Sequence, residues 1–236
     1  MGKVKNGLSV ILPAYNEEQN IWSVLNDALE YLKSFKDPWE IIVVDDGSCD
    51  DTGKIAADFS KHHRRVRVIT HSQNIGYGRS LRDGFATAFY NYVFFTDSDR
   101  QFDLRALGVM WPVAKTGVID LVIGYRLKRK DPFGRKFLSR CYNILADILF
   151  GLDVKDIDCA FKIFKKDIFK KIKIESANFF VNTEILAKAR IYNFRILEVG
   201  VPHFPRKAGK SSVSLKYVPL TIRELIRIKK EISRLK

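Results

Sequence analysis

Along this chain, short unbroken apolar runs alternate with stretches whose apolar residues recur every three or four positions. Residues 8–12 (LSVIL) form the first run and stop at Pro13, the pattern of a strand buried on both faces. Ile21, Val24, Leu25, Ala28, Leu32 and Phe35 then follow at helical spacing, and the pattern ends before Asp37-Pro38. Residues 40–44 (EIIVV) predict a second buried strand that runs straight into Asp45-Asp46-Gly47-Ser48. Asp50 or Asp51 is placed to cap a helix holding Ile55, Ala56 and Phe59. Residues 66–69 predict a third strand. The glycine-rich segment 74–84 leads into a helix, and residues 92–95 predict a fourth strand ending at Asp97.

This alternation over the first ~100 residues predicts a doubly wound, mostly parallel sheet flanked by helices. In such sheets ligands bind beyond the carboxyl ends of the strands. Asp45, Asp46, Asp97 and Asp99 all fall there. Residues 120–124 predict another strand, after which the texture changes: 126–140 is crowded with Lys and Arg, and 142–152 is apolar. Residues 217–236 place Ile222, Leu225, Ile228, Ile232 and Leu235 at spacings of three and four, an amphipathic helix. No internal repeat or long linker is visible. One domain over 1–215 is expected, with a nucleotide-binding part at 8–103 and an acceptor-binding part at 104–215, followed by the basic helix 216–236.

Composition narrows the partners. Of 236 residues, 46% are hydrophobic, enough for a sizeable core, and 41 Lys+Arg against 27 Asp+Glu give a net charge of +14 that favours anionic partners. Nucleic acid, anionic lipid and phosphorylated small molecules all qualify on charge alone. Three widely spaced cysteines without CxxC spacing imply free thiols in a reducing compartment and argue against a zinc site. No stretch approaches the roughly 20 apolar residues of a spanning helix. The expected location is cytoplasmic, with peripheral association at the cytoplasmic face of a membrane.

Asp97-Ser98-Asp99 carries the most chemistry. Carboxylates at i and i+2, where a strand gives way to a loop, suit a hard cation such as Mg²⁺ or Mn²⁺ that also takes phosphate oxygens. A DxD pair alone signifies little in a chain with 27 acidic residues; its place after YNYVFF gives it weight. Asp45 and Asp46 can accept hydrogen bonds from a base or ribose, although Asp-Gly-Ser is also good turn chemistry. At Asn74-x-Gly76-x-Gly78 the missing side chains let backbone approach a ligand closely, and an ordinary loop is the other reading.

The ordered set SVILPAYNEE, IIVVDDGSCDDT, NIGYGRSLRDG and FFTDSDRQFD resembles the family 2 glycosyltransferases, most nearly their polyprenyl-phosphate and dolichyl-phosphate sugar synthases. The likeness continues through VIGYR, RKFLS, DIDCAFKIFKK and GVPHFPRKAGKSS, and so covers residues 8–215. It implies a GT-A fold and an inverting, single-displacement hexosyl transfer. The donor would be a UDP- or GDP-sugar and the acceptor a polyprenyl or dolichyl phosphate. By position it implies that Pro13, Ala14, Tyr15, Asn16 and Glu17, with Asp46, bind nucleotide. Asp97, Asp99 and Gln101 match the metal and diphosphate motif. Arg126, Arg135, Ser139 and Arg206 match positions that hold the acceptor phosphate, and Glu184 an acidic position near the sugar, where a satisfied helix-face residue is the alternative. Asp158-Cys159-Ala160-Phe161-Lys162 departs from the usual Asp-x-Thr-Ser-Gly-Phe-Arg, suggesting a different acceptor loop or sugar pocket.

A phosphate acceptor is already anionic near neutral pH, so it needs orientation and charge compensation, for which Arg is suited. A saccharide or other hydroxyl acceptor would instead need a general base, Glu184 or Asp158. A nucleic-acid-binding module would explain the charge, but no RNA- or DNA-binding signature is present, and no nucleic-acid partner is expected. A sugar nucleotidyltransferase would need a glycine-rich, basic N-terminal loop where this chain has PAYNEE. The C-terminal helix has three candidate surfaces: the membrane interface, a small membrane partner protein, or its own domain.

Overall fold

The computed structural model describes residues 5–127, 133–206 and 218–235. Strands β1 (Lys5–Ala14), β2 (Trp39–Asp45), β3 (Val66–Thr70) and β4 (Tyr90–Thr96) alternate with helices α1 (Glu18–Lys33), α2 (Thr52–His62) and α3 (Tyr77–Thr87). Then come α4 (Leu107–Ala114), β5 (Leu121–Leu127), α5 (Phe133–Phe150), β6 (Phe161–Lys165), α6 (Val181–Ile191), β7 (Ile196–Pro202) and α7 (Val218–Ser233). The seven strands make one sheet in the order β3-β2-β1-β4-β6-β5-β7. All neighbours are parallel except β6, which runs antiparallel between β4 and β5.

Period-two alternation splits each central strand between two cores. Val10 and Leu12 of β1, with Ile41, Val43 and Phe94, pack under α1, α2 and α4. Ile11, Ile42, Val44, Val93 and Phe95 face the other way, toward α3 and α6. Gly84 of α3 lies so close to the sheet that a Cβ there would sit 2.5 Å from the Ile11 side chain.

One sequence expectation changes. Pro13 does not end β1, which continues to Ala14 in register with Asp45. β1 pairs with β4 only as far as Ile11, and the Pro13 carbonyl is taken by the Ser98 hydroxyl at 2.8 Å. The amide hydrogen that proline lacks would therefore face a side where the ladder has already stopped. Of the three surfaces open to the C-terminal helix, part of its stripe takes its own domain: Ile228 and Ile232 of α7 join the core shared by α3 and α6 and Leu225 is buried, while Ile222 and Leu235 are exposed. Among the described residues, no helix is long and apolar enough to cross a membrane.

Candidate active site

β1, β2 and β4 are neighbours, so the segments beyond their carboxyl ends, 13–17, 45–48 and 97–101, meet at one edge. The Asp46 amide donates to the Ala14 carbonyl at 2.9 Å. The Asn16 amide donates to Ser48 Oγ at 3.0 Å, and Asn16 Oδ1 accepts from the Cys49 amide at 2.8 Å. Asn16 adopts a left-handed conformation, φ 54°, which asparagine tolerates better than most residues. These bonds hold 13–17 as a shelf on which Tyr15 is left exposed.

Asp45 and Asp46 are both buried. Asp45 Oδ1 accepts from the Ser48 amide at 3.2 Å. Asp46 accepts three hydrogen bonds, from His71 Nδ1 at 2.8 Å, the Ile75 amide at 3.0 Å and the Gly76 amide at 2.9 Å. Its carboxylate thus gathers the glycine loop, in which Asn74 is exposed. Gly76 has φ 103° and Gly78 donates its amide to the Ala177 carbonyl at 2.7 Å; a Cβ on either glycine would strike the 176–177 backbone.

Asp97 and Asp99 have different company. Asp97 Oδ1 accepts from the Tyr77 hydroxyl at 2.9 Å. Asp99 accepts from the Gln101 amide and from Arg206 Nη2, each at 3.0 Å. Arg206 also lies 3.4 Å from Glu17 Oε1, tying the shelf to this pair. Burial, and then the negative charge of Asp99, push the Asp97 carboxyl up to about 7, against the pull of Tyr77, Arg206 and Lys162. Burial also pushes the Glu17 carboxyl up, against Asn20 and Arg206. Two crowded carboxylates, one holding its proton to neutral pH, suit a divalent cation that would take the proton's place. Among the described residues no three acidic, His or Cys side chains converge as a complete metal cage. Two carboxylates leave the rest of the shell to water and diphosphate, the usual arrangement for Mg²⁺.

The other expected residues are scattered. Arg126 is in a buried, bidentate ion pair with Asp156, at 2.6 and 2.7 Å. Burial pulls its pKa down, but the Asp156 hydrogen bonds and charge outweigh that and raise it. Ser139 is half-buried on α5, and the Arg135 side chain lies outside the described residues. Glu184 is fully buried on α6, where its carboxylate accepts from the Ser176 amide at 2.8 Å and from Lys188 Nζ at 2.7 Å. That is the satisfied-helix alternative.

The structure also brings in residues that sequence reasoning passed over. The Gln101 carbonyl accepts from the Phe204 amide at 2.9 Å, and this pairing carries Arg206 to Asp99. It also buries His203, whose ring meets Phe102 edge-on with centres 5.4 Å apart. A lone histidine between two prolines gives no spacing signal. Tyr77 lay hidden inside a motif read for its glycines. Lys162, fully buried, donates to Asn182 Oδ1 and the Ile157 carbonyl, both at 3.0 Å, and to the Cys159 carbonyl.

The sequence model described as "Glycosyl transferase family 2" matches residues 9–173. Glycosyltransferase AglD of Haloferax volcanii is 31% identical over 216 residues, covering 88% of this chain and 34% of that protein. Dodecaprenyl-phosphate galacturonate synthase of Rhizobium johnstonii is 28% identical over 94% of this chain and 66% of its own. Dolichyl-phosphate beta-glucosyltransferase of Dictyostelium discoideum is 32% identical over 82% and 65%. The chain therefore spans only part of these relatives, a third of the first and about two thirds of the others. Among solved structures, glucosyl-3-phosphoglycerate synthase from Mycobacterium tuberculosis with Mn²⁺, UDP and phosphoglyceric acid superposes with a TM-score of 0.72 at 23% identity, over 96% of this chain and 78% of that one. At that identity the likeness speaks for the fold.

Proposed function

Because the chain belongs to glycosyl transferase family 2, we propose that it moves a hexose from a nucleotide-diphosphate sugar onto a polyprenyl or dolichyl phosphate at a membrane surface. One observation carries this reading: Asp97 and Asp99 crowd together at the end of β4, with Asp97 pushed up to about 7 by burial and its neighbour's charge. A UDP-sugar is the first donor to try, because solved structures of the same fold hold UDP and Mn²⁺. GDP-sugars are the alternative.

In this reading Tyr15, Asn16 and Glu17 with the Asp46-held glycine loop receive the nucleotide, and Asp97 and Asp99 would hold Mg²⁺ or Mn²⁺. Bound there, the cation supplies positive charge that offsets the departing diphosphate. An acceptor phosphate oxygen attacks the anomeric carbon from the face opposite the leaving group. Its lone pair forms the new carbon–oxygen bond, the bond to the diphosphate breaks with its electrons going to oxygen, and the anomeric centre inverts. Arg206, which lies beside Asp99 and Glu17, would orient the incoming phosphate in this reading. No side chain has to remove a proton.

That last point separates this reading from a hydroxyl acceptor. Such an acceptor needs a positioned base; the carboxylate of Glu184 is consumed by Ser176 and Lys188, so that reaction would have to use Asp158. The test is a metal-titrated assay pairing UDP- and GDP-hexoses with a short-chain polyprenyl phosphate and, in parallel, with free saccharides. Transfer to the lipid phosphate is the expected result. Transfer to saccharides alone would overturn the acceptor.

A further inference from the structure

Among the described residues two lysines are buried, Lys162 and Lys188, each 1% exposed, and their surroundings differ. Lys188 has carboxylates in contact: Glu184 lies 2.7 Å from its Nζ, and Glu231 touches it from α7. Its charge is cancelled where it stands, the usual condition for burying one. Lys162 of β6 is satisfied without being cancelled. Its Nζ donates to the Ile157 carbonyl and to Asn182 Oδ1, both at 3.0 Å, and to the Cys159 carbonyl. The three donors of an ammonium thus meet three neutral oxygens. Burial pulls its pKa down, but an amine without its proton would turn a lone pair on one of those oxygens. Of the acids whose charge reaches Lys162, Asp156 is already in its bidentate pair with Arg126.

The uncancelled charge sits behind the acidic pair. Lys162 lies opposite Phe95 in the antiparallel β4–β6 ladder, with its Nζ 5.5 Å from the centre of the Phe95 ring, and Phe95 precedes Asp97 by two positions. Its field reaches the site, since it is one of the charges that pull the Asp97 carboxyl down. Arg206, the other cation there, is partly exposed and touches Asp99 directly. Lys162 can neither move out nor touch a ligand. We infer that Lys162 is a fixed positive charge that opposes a divalent cation arriving alone at Asp97 and Asp99 and favours one arriving with a diphosphate. The signs decide this. A bare Mn²⁺ brings two positive charges up to a third, in buried surroundings where repulsion is little screened. A nucleoside diphosphate with its metal is a net anion and meets attraction instead. The role deepens the proposed metal site and rests on it. Lys162 also ties the turn at 157–159 to α6 through Asn182, and a mere tether would leave a different mark on binding.

The experiment is calorimetry of the full chain at pH 8 with two probes taken separately, Mn²⁺ alone and UDP in the presence of EDTA, with GDP used if wild type takes only that nucleotide. Lys162→Met should bind Mn²⁺ about tenfold tighter and the nucleotide several-fold more weakly, because removing one positive charge acts with opposite sign on a cation and an anion. Asn182→Asp keeps the hydrogen bond to Lys162 and cancels its charge by contact, so it should shift both affinities in the same directions without cutting the tether. That second variant carries the test if Lys162→Met folds poorly, as checked by circular dichroism. A tether alone predicts that Lys162→Met weakens both ligands and that Asn182→Asp changes neither. Either result, or Mn²⁺ binding no tighter in the variants that fold, would overturn the role of the charge while wild type still binds metal. Wild type that binds no Mn²⁺, with or without nucleotide, would instead remove the metal site itself and this role with it, so the two failures are distinguishable.

Discussion

The two acidic pairs, Asp45-Asp46 and Asp97-x-Asp99, sit at the ends of strands two places apart in one sheet, and in the sequence they look alike. In the fold they are opposites. Asp46 is closed by three donors from the protein itself, His71 and the Ile75 and Gly76 amides. Asp97 has a tyrosine hydroxyl and a repelling neighbour, and burial with that neighbour pushes its carboxyl up to about 7. A carboxylate whose hydrogen bonds are complete organises structure. One kept partly protonated by its surroundings has an interaction still to make. In the proposed reading the first pair builds the loop that receives the nucleotide, and the second would be completed by an ion.

The largest effect should come from breaking the open pair. Asp97→Asn should lower transfer about a thousandfold, the order expected when a metal's charge stabilisation is removed. The metal-free protein should stay as stable as wild type at pH 8, or become more so, since a crowded charge has gone. A variant that melts early while retaining turnover would reverse the assignment. Asp46→Asn should do the opposite. It leaves buried amides facing a poorer acceptor, costing on the order of 2 kcal/mol of folding stability in denaturant titrations without any ligand present. If Asp46→Asn were fully stable and merely failed to bind nucleotide, Asp46 would be a ligand contact and the contrast would vanish.

Acidity offers a third test. The Asp97 carboxyl sits near 4 in the unfolded chain and near 7 in the fold, so between those values the native state holds the extra proton. Its contribution to metal-free stability therefore falls as pH rises from about 4 to about 7 and levels off above. The melting temperatures of wild type and Asp97→Asn should accordingly diverge in that window, with wild type the lower at pH 8. Mn²⁺ must displace the same proton, so its affinity by calorimetry should rise about tenfold from pH 6 to pH 8. A flat profile would mean that Asp97 is already ionised at pH 6.

How much of this could be read beforehand follows the same division. Strands buried on both faces announce themselves as LSVIL, EIIVV and YVFF, and each delivers its motif to a strand end, so the parallel half and its carboxylates were legible. β6 was not, because Lys162 and Lys165 interrupt its run. The first finds its acceptors inside the fold, and the second pairs with Asp120 at 2.8 Å. Arg206 and Asp99 meet across 107 residues, a distance over which spacing carries no information, and the family resemblance named both without joining them. Periodicity marked 217–236 as amphipathic but could not say what its apolar side covers.

The smallest effect tests whether the closed pair depends on α7. Arg227 donates to Ser176 Oγ at 2.5 Å and to Glu175 at 3.4 Å, and it is held in turn by Glu224 and Glu231 at 3.0 and 3.2 Å. The segment it grips presses on the glycine loop, where Gly78 donates to Ala177 and the Gly76 amide reaches Asp46. Removing the guanidinium leaves the Glu184–Lys188 pair and the glycine contacts in place, so the loop should loosen without being lost. Arg227→Ala should speed amide exchange at Gly78 several-fold and raise the KM for the donor sugar about threefold, with kcat nearly unchanged, because Asp97 and Asp99 are untouched. Arg227→Lys, which keeps charge but loses the fork of donors, should fall between. If kcat dropped instead while KM held, α7 would be acting on the open pair, and the two acidic sites would be one mechanical unit.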